Sequence, residues 1–248
     1  MLIRVDDRRS HMQGTGSSSR TFVPAGSDIH HSRTYATMRI GIIGSGMIGG
    51  TAARLFARAG HDVAVSNSRG PRSLAPLIDE IARDVGDSRA RAATVEEAAS
   101  FGELVLLAVP FRSPEALPSP ETVAGKIVID AMNAYSPDGG QIDLGDSTSS
   151  EETARRLPGA RIVKAFNTIY FEHLATQGRP DLPPEERRAI FVAGDDEAAK
   201  HTVSALIEEI GYAAVDTGSL REGGLRQQPG APVYNTVLTA REARELLD

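Results

Sequence analysis

A glycine-rich turn set between a short apolar strand and a helix constrains this chain more than any other feature. Arg39-Ile40-Gly41-Ile42-Ile43 reads as a buried strand, Gly44-Ser45-Gly46-Met47-Ile48-Gly49 follows at once, and Ala52, Ala53, Leu55, Phe56 and Ala59 then recur with helical spacing. In a strand–turn–helix unit the glycines have separate tasks. Gly44 permits the tight turn, Gly46 lets the backbone approach a pyrophosphate with no Cβ in the way, and Gly49 lets the helix pack close to the sheet. The helix start presents unpaired N–H groups and the positive end of its dipole to the phosphates, so Ser45, Met47 and Ile48 belong to the same cradle. The flanking strand and helix lift the motif above a chance run of glycines.

The end of the second strand selects among dinucleotides. Val63-Ala64-Val65 runs into Ser66-Asn67-Ser68-Arg69. An NAD site usually carries an acid about 20 residues beyond the glycine turn, where it accepts from the ribose 2′-hydroxyl. Asn67 stands at that place. An acid would repel a 2′-phosphate, whereas Asn67 and Ser68 can donate to it and Arg69 can pair with it. A hydrogen bond to a charged group contributes about 1.5–3 kcal/mol, so several such contacts discriminate strongly. The expected cofactor is NADP.

Composition narrows the remaining classes. A chain of 248 residues can bury one sizeable core. Its net charge of −6, with no Lys/Arg-rich run, argues against nucleic acid or a membrane surface as partner. The absence of cysteine excludes disulfides, a thiolate nucleophile and a zinc–thiolate site. No apolar run approaches the roughly 18–20 residues that cross a bilayer, and a cytoplasmic location is expected. Residues 1–37 are rich in Ser, Gly, Arg and Asp and lack periodic apolar positions. They read as a disordered leader, from an early start codon or a cloning remnant, and the fold is expected to occupy 38–248.

Downstream, strand and helix signals alternate. Pro71 opens a helix whose apolar face is Leu74, Leu77, Ile78 and Ile81, and Ala90 to Ala93 reads as a third strand. Thr94-Val95-Glu96-Glu97 has capping-box spacing. Leu104 to Val109 is a continuous apolar run stopped by Pro110, and Ile127 to Asp130 and Arg161 to Ala165 repeat the pattern of strands buried on both faces. Ala189 to Gly194 is a further strand, Asp195-Asp196 starts a helix that ends at Gly211, and Tyr212 to Asp216 returns as a strand. Pro180 to Glu186 reads as a loop and Thr236 to Leu247 as a terminal helix. The expected fold is α/β: a doubly wound Rossmann-type parallel sheet with a small C-terminal α/β extension, about 178–248.

Five stretches carry a more specific likeness: the glycine turn, Asn67-Ser68-Arg69, Leu107-Ala108-Val109-Pro110, Val163-Lys164-Ala165-Phe166-Asn167-Thr168, and Val192-Ala193-Gly194-Asp195. Together they resemble the reductases that couple NADP to the deazaflavin coenzyme F420, and the related reductase domain of membrane metalloreductases. The likeness runs from Met38 to the C-terminus, and the stretch around Lys164 is its most specific part. It implies that Ala108, Val109 and Pro110 run beside the cofactor's ribose and diphosphate. It places Asn133 against the nicotinamide ribose or the second cofactor, and gives the nicotinamide carboxamide to main chain at Ala165 and to Asn167. Phe166 reads equally as core or as a stacking partner, and Lys164 as a solvated strand end or a counter-charge to an anionic acceptor. A binder of F420 needs a basic rim, for which Arg112, Lys164, Arg221 and Arg226 are candidates; a flavin or another small redox acceptor suits the same place. The resemblance further implies a homodimer, with Tyr234, Val237, Leu238, Leu246 and Leu247 at its interface.

Hydride transfer to a deazaflavin needs parallel stacking with reacting carbons roughly 3–3.5 Å apart, and no protein nucleophile. Solvent can supply the accompanying proton, so neither a catalytic acid or base nor a metal is expected. His61 reads as structural, and His173 as nearer the site. Two other functions remain open. A reductase of a small imine or β-hydroxy acid shares the opening units but continues into a long all-helical domain, unlike 189–217. A non-catalytic NADP sensor keeps the phosphate loops but blocks the nicotinamide end, which the small Ala108 and Ala165 leave open.

Overall fold

The computed structural model describes residues 36–248; the expectation for the leader falls, through residue 35, outside the described residues. An eight-stranded sheet runs in the order β3-β2-β1-β4-β5-β6-β7-β8. The strands are β1 (Arg39–Ile43), β2 (Asp62–Ser66), β3 (Ala90–Ala92), β4 (Leu104–Leu107), β5 (Ile127–Asp130), β6 (Arg161–Lys164), β7 (Ala189–Gly194) and β8 (Ala213–Asp216). The first six are parallel, with Ile40 opposite Val63 on one side of β1 and opposite Leu104 on the other. Every residue of β4 is buried, as its unbroken apolar sequence demands.

Helices cover both faces. On one lie α1 (Met47–Arg58) and α2 (Ala75–Val85), where Ile40, Phe56, Val65, Leu106, Val163 and Phe166 share a core. Pro71 opens a 3-10 turn, Pro71–Leu74, ahead of α2. On the other face α3 (Val95–Phe101), the short α4 (Pro120–Val123) and α5 (Ser149–Arg156) pack on Val105, Leu107, Val128 and Ile162. The Thr94–Glu97 capping box is formed. A second box, Thr148 with Glu151, starts α5, a helix not expected from the sequence reading although its Thr-Ser-Ser-Glu spacing is the signal for one.

In the C-terminal extension the parallel order of β1 to β6 is broken. β7 lies antiparallel to β6 and pairs through only Val163–Gly194 and Lys164–Ala193, while β8 runs parallel to β7. A parallel return needs a long crossover, usually a helix across the sheet face. Between β6 and β7 the chain offers the short α6 (Phe171–Thr176) and a Pro-rich loop, so β7 enters reversed. Asp196 caps α7 (Glu197–Glu209) and grips Arg161 of β6 through both carboxylate oxygens. The short α8 (Glu222–Gln227) follows β8. The terminal α9 (Ala240–Leu247) starts at the Thr239 cap rather than at Thr236, whose hydroxyl bonds the Pro232 carbonyl instead.

Candidate active site: a glycine-turn cavity and a polar cluster at the strand ends

Strands β4 and β6 stop at Leu107 and Lys164, earlier than their apolar runs suggested. Ala108-Val109-Pro110 and Ala165 to Thr168 therefore lie just past the carboxyl ends of the strands, where open α/β sheets bind ligands. Gly44, Ser45, Gly46, Asn67, Ser68, Arg69, Ala108, Val109 and Pro110 line one cavity of about 690 Å³. Gly44 has φ +105°, and a Cβ there would lie 2.4 Å from the Ala108 carbonyl oxygen; at Gly49 a Cβ would lie 1.9 Å from the Gly44 carbonyl oxygen. At Gly46 a Cβ would meet nothing within 4 Å, so the open space there faces the site rather than the protein. Gly46 also caps α1 without a side chain, leaving first-turn N–H groups for a ligand.

Asn67 is used internally. Its Nδ2 donates to Ser45 Oγ (3.2 Å) and Ser73 Oγ (2.9 Å), and its Oδ1 accepts from the Arg69 N–H (3.0 Å). It therefore ties the glycine turn to the loop after β2 and fixes the backbone of Arg69. The exposed Ser68 hydroxyl and Arg69 guanidinium make no hydrogen bond or ion pair among the described residues. The one carboxylate lining the cavity is the exposed Glu115, on the 3-10 turn Pro114–Ala116 beyond β4 rather than at the end of β2. These features fit NADP(H). Met47, 65% exposed, lines a neighbouring cavity with Phe171, and Ile48 packs partly against the core.

Asn133, Ala165 and Asn167 belong to a second group at the ends of β5 and β6. Asn133 Nδ2 donates to the Asn167 carbonyl (2.9 Å), and Asn167 Nδ2 donates to Asn133 Oδ1 (3.1 Å) and to the Gln227 carbonyl (2.9 Å). Asn167 Oδ1 is buried without a partner, as is Gln227 Oε1, so each retains capacity to accept. Ala165 is fully buried, its N–H bonded to the Asp130 carbonyl (3.3 Å). Phe166 is core: it is fully buried, edge-to-face on Phe56, with φ +64°, a conformation rare outside glycine. That left-handed turn swings the chain from the end of β6 into Asn167.

Residues missed from sequence complete this region. Tyr135 donates to the Tyr234 hydroxyl (3.1 Å), and burial, followed by that bond, pushes the Tyr234 phenol well above its ordinary range. A cavity of about 400 Å³ opens between the loop after Asn133 and the end of α8, lined by Ala134, Gln141, Ser147, Ser149, Leu225 and Gln228, among others. No motif marks these positions; the sequence signal was the capping box that brings Ser149 in on α5.

Lys164 is not a rim residue. It is 1% exposed and donates to the Met132 carbonyl and to Ser149 Oγ, each at 3.0 Å, with Asp130 Oδ2 at 4.0 Å. Burial holds its pKa below the ordinary lysine value against the opposing pull of Asp130. Asp130 is itself held by Ser150 Oγ (2.6 Å), Thr153 Oγ1 (3.2 Å) and the Met132 N–H (2.9 Å). Of the other rim candidates, Arg112 and Arg226 are exposed, and Arg221 approaches Glu151 at 3.6 Å. His61 is structural: buried on the α1–β2 turn, it meets Glu209 at 2.7 Å and accepts the Met38 N–H. His173 lies beside the Tyr170 ring with its Nδ1 buried and unpartnered.

Comparison with known proteins agrees with this geometry. Residues 39–134 match the family model described as NADP oxidoreductase, coenzyme F420-dependent. Metalloreductase STEAP3 of Rattus norvegicus is 31% identical over 183 residues, 73% of this chain; the chain spans about a third (34%) of that protein. The crystal structure of a hypothetical protein from Sinorhizobium meliloti is 33% identical with a TM-score of 0.70, over 82% of this chain and 96% of that one. A structure from Arthrobacter sp. fb24, proposed there to be an F420-dependent NADP-reductase, is 27% identical with a TM-score of 0.61, over 74% of this chain and 86% of that one. The glycine turn, the acid-free end of β2 and these likenesses together make residues 39–134 similar to the coenzyme F420-dependent NADP oxidoreductases.

Proposed function

We infer that the protein transfers a hydride between NADPH and a deazaflavin of the F420 type or a flavin, working as a homodimer. The observation that carries this reading is the cavity over the glycine turn, which opens onto Ser68 and an unpaired Arg69 with no carboxylate at the end of β2. Bound NADPH supplies the hydride from its nicotinamide ring. The protein's part is placement. First-turn N–H groups of α1 hold the diphosphate, Arg69 reads the 2′-phosphate, and the flat run Ala108–Pro110 guides the ribose. The Asn133–Asn167 pair, with Asn167 Oδ1 free to accept, orients the amide end. The neighbouring cavity beside Ala134 and Leu225 suits the acceptor. Strand β7, helix α7 and strand β8 stand where imine and β-hydroxy acid reductases would continue into a helical domain, which disfavours that alternative.

The test is NADPH oxidation by the purified protein with F420, with FMN and with no acceptor, followed by loss of nicotinamide absorbance. Turnover that requires one of the acceptors is the expected result. NADPH binding without oxidation by either would instead favour a sensor that binds the nucleotide without chemistry.

A further inference from the structure

We propose that Ser149 hands a proton to the acceptor in the cavity of about 400 Å³ and that Lys164 replenishes it, a relay joining the end of β6 to the first turn of α5. The inference rests on the hydride-transfer reading above and adds to it a protein source for the proton. Ser149 is half-buried and lines the cavity. Its Oγ accepts from Lys164 Nζ at 3.0 Å, and its own hydrogen has no acceptor among the described residues. The hydroxyl is thus loaded from the protein side and free on the cavity side. Its neighbours are committed otherwise: Ser150 and Thr153 both donate to Asp130.

A buried lysine is an unusual choice for a purely structural post, since an apolar side chain of similar volume fills such a place at no desolvation cost. Burial makes Lys164 a readier proton donor than an exposed lysine. The groups facing it are Asp130 and the Met132 carbonyl at the end of β5, and Ser149 of α5, with Ser150 and Thr153 behind Asp130. Asp130 is the one carboxylate within 4.0 Å among the described residues. When Lys164 becomes neutral, Asp130 still accepts from Ser150, Thr153 and the Met132 N–H, and its nearby carboxylate favours return of the proton to Lys164.

Hydride transfer gives the acceptor two electrons and one hydrogen, leaving it one proton short of its fully reduced form. In the relay the Ser149 O–H bond breaks toward the acceptor while a Lys164 N–H bond breaks toward Ser149 Oγ. Serine ends as a hydroxyl and lysine as a neutral amine. Water reaching Ser149 after product leaves returns one proton to Lys164 by the same path. The sum is acceptor plus NADPH plus one proton giving reduced acceptor plus NADP+, and the reverse direction runs the same steps backward.

The test pairs a titration with turnover. In protein carrying 13C-lysine, the Cε resonance missing from Lys164→Met, or displaced in Ser149→Ala if the former does not fold, reports Lys164. It is expected to titrate below Lys200, and lower still in Ser149→Ala, where the ammonium loses an acceptor. Ser149→Ala should lower kcat with F420 or FMN by on the order of a hundredfold while leaving the KM for NADPH unchanged, and Ser149→Thr should restore most of it. Titration of Lys164 together with or above Lys200, or a Ser149→Ala enzyme with the wild-type kcat and pH profile, would overturn the relay alone. A wild type that binds NADPH but oxidises none with either acceptor overturns the hydride-transfer reading, and the relay with it.

Discussion

Arg69 and Phe166 show how single side chains set cofactor preference and site shape. Arg69 stands exposed at the end of β2 with its backbone N–H pinned by Asn67 Oδ1, so the guanidinium is held near the cavity without being spent on a protein partner. Arg69→Ala should weaken NADPH binding by about tenfold to a hundredfold, the worth of a charge-assisted bond of about 1.5–3 kcal/mol, and leave NADH binding nearly unchanged in a fluorescence titration. Equal losses for both nucleotides would show that Arg69 does not read the 2′-phosphate. Phe166 combines full burial against Phe56 with a left-handed backbone. Phe166→Ala removes the ring and leaves a cavity, at an expected cost of about 3–5 kcal/mol in urea denaturation. Phe166→Gly relieves the backbone as well and should do no worse than alanine despite glycine's greater freedom in the unfolded chain.

At the scale of elements, strands β1 to β6 and helices α1, α3 and α7 were legible because their apolar runs and caps are local signals. The direction of β7 was not, since strand polarity depends on the path of the crossover and not on the strand's own residues. Nor was the burial of Lys164: a strand-end lysine looks solvated until α5, with Ser149, Ser150 and Thr153, closes over it. The contacts of Asn67 depended likewise on Ser73, brought back by the 3-10 turn. The start of α7 offers a pH test. Asp196 is bonded first by Arg161 and then by the Ala199 N–H, and both hold its carboxyl far below the ordinary value of 3.8. Between that value and the depressed one the unfolded chain binds the extra proton, so stability from this group is present above about pH 3.8 and declines as pH falls further. Asp196→Asn should be less stable than wild type at pH 7, and the gap should narrow in denaturation curves recorded progressively below pH 4.

Across the whole molecule, the expected dimer surface is smaller than the sequence suggested. Leu238 and Leu247 pack inward on Val233, Ala240 and Ala243, and Tyr234 turns toward Tyr135, leaving Val237 (59% exposed) and Leu246 (49% exposed) on the outside. A dimer through that face should sediment as a single species at micromolar concentration and shift to monomer in Val237→Glu; a wild-type monomer would remove the idea. No helix among the described residues is long and apolar enough to cross a membrane.

The division of labour along the chain has one more consequence. The phosphate cavity is built from residues before 117, whereas the polar cluster and neighbouring cavity draw on 130–149, 164–167 and 225–234. On the proposed reading, the residues that meet the 2′-phosphate and those that meet the acceptor fall in separate stretches, which touch along the β4–β5 edge and where Phe166 and Phe171 pack beside α1. Lineages descending from one ancestor can then trade electron acceptors without relearning how to hold the nucleotide, and a chimera spliced within the loop before β5 should inherit each preference from a different parent.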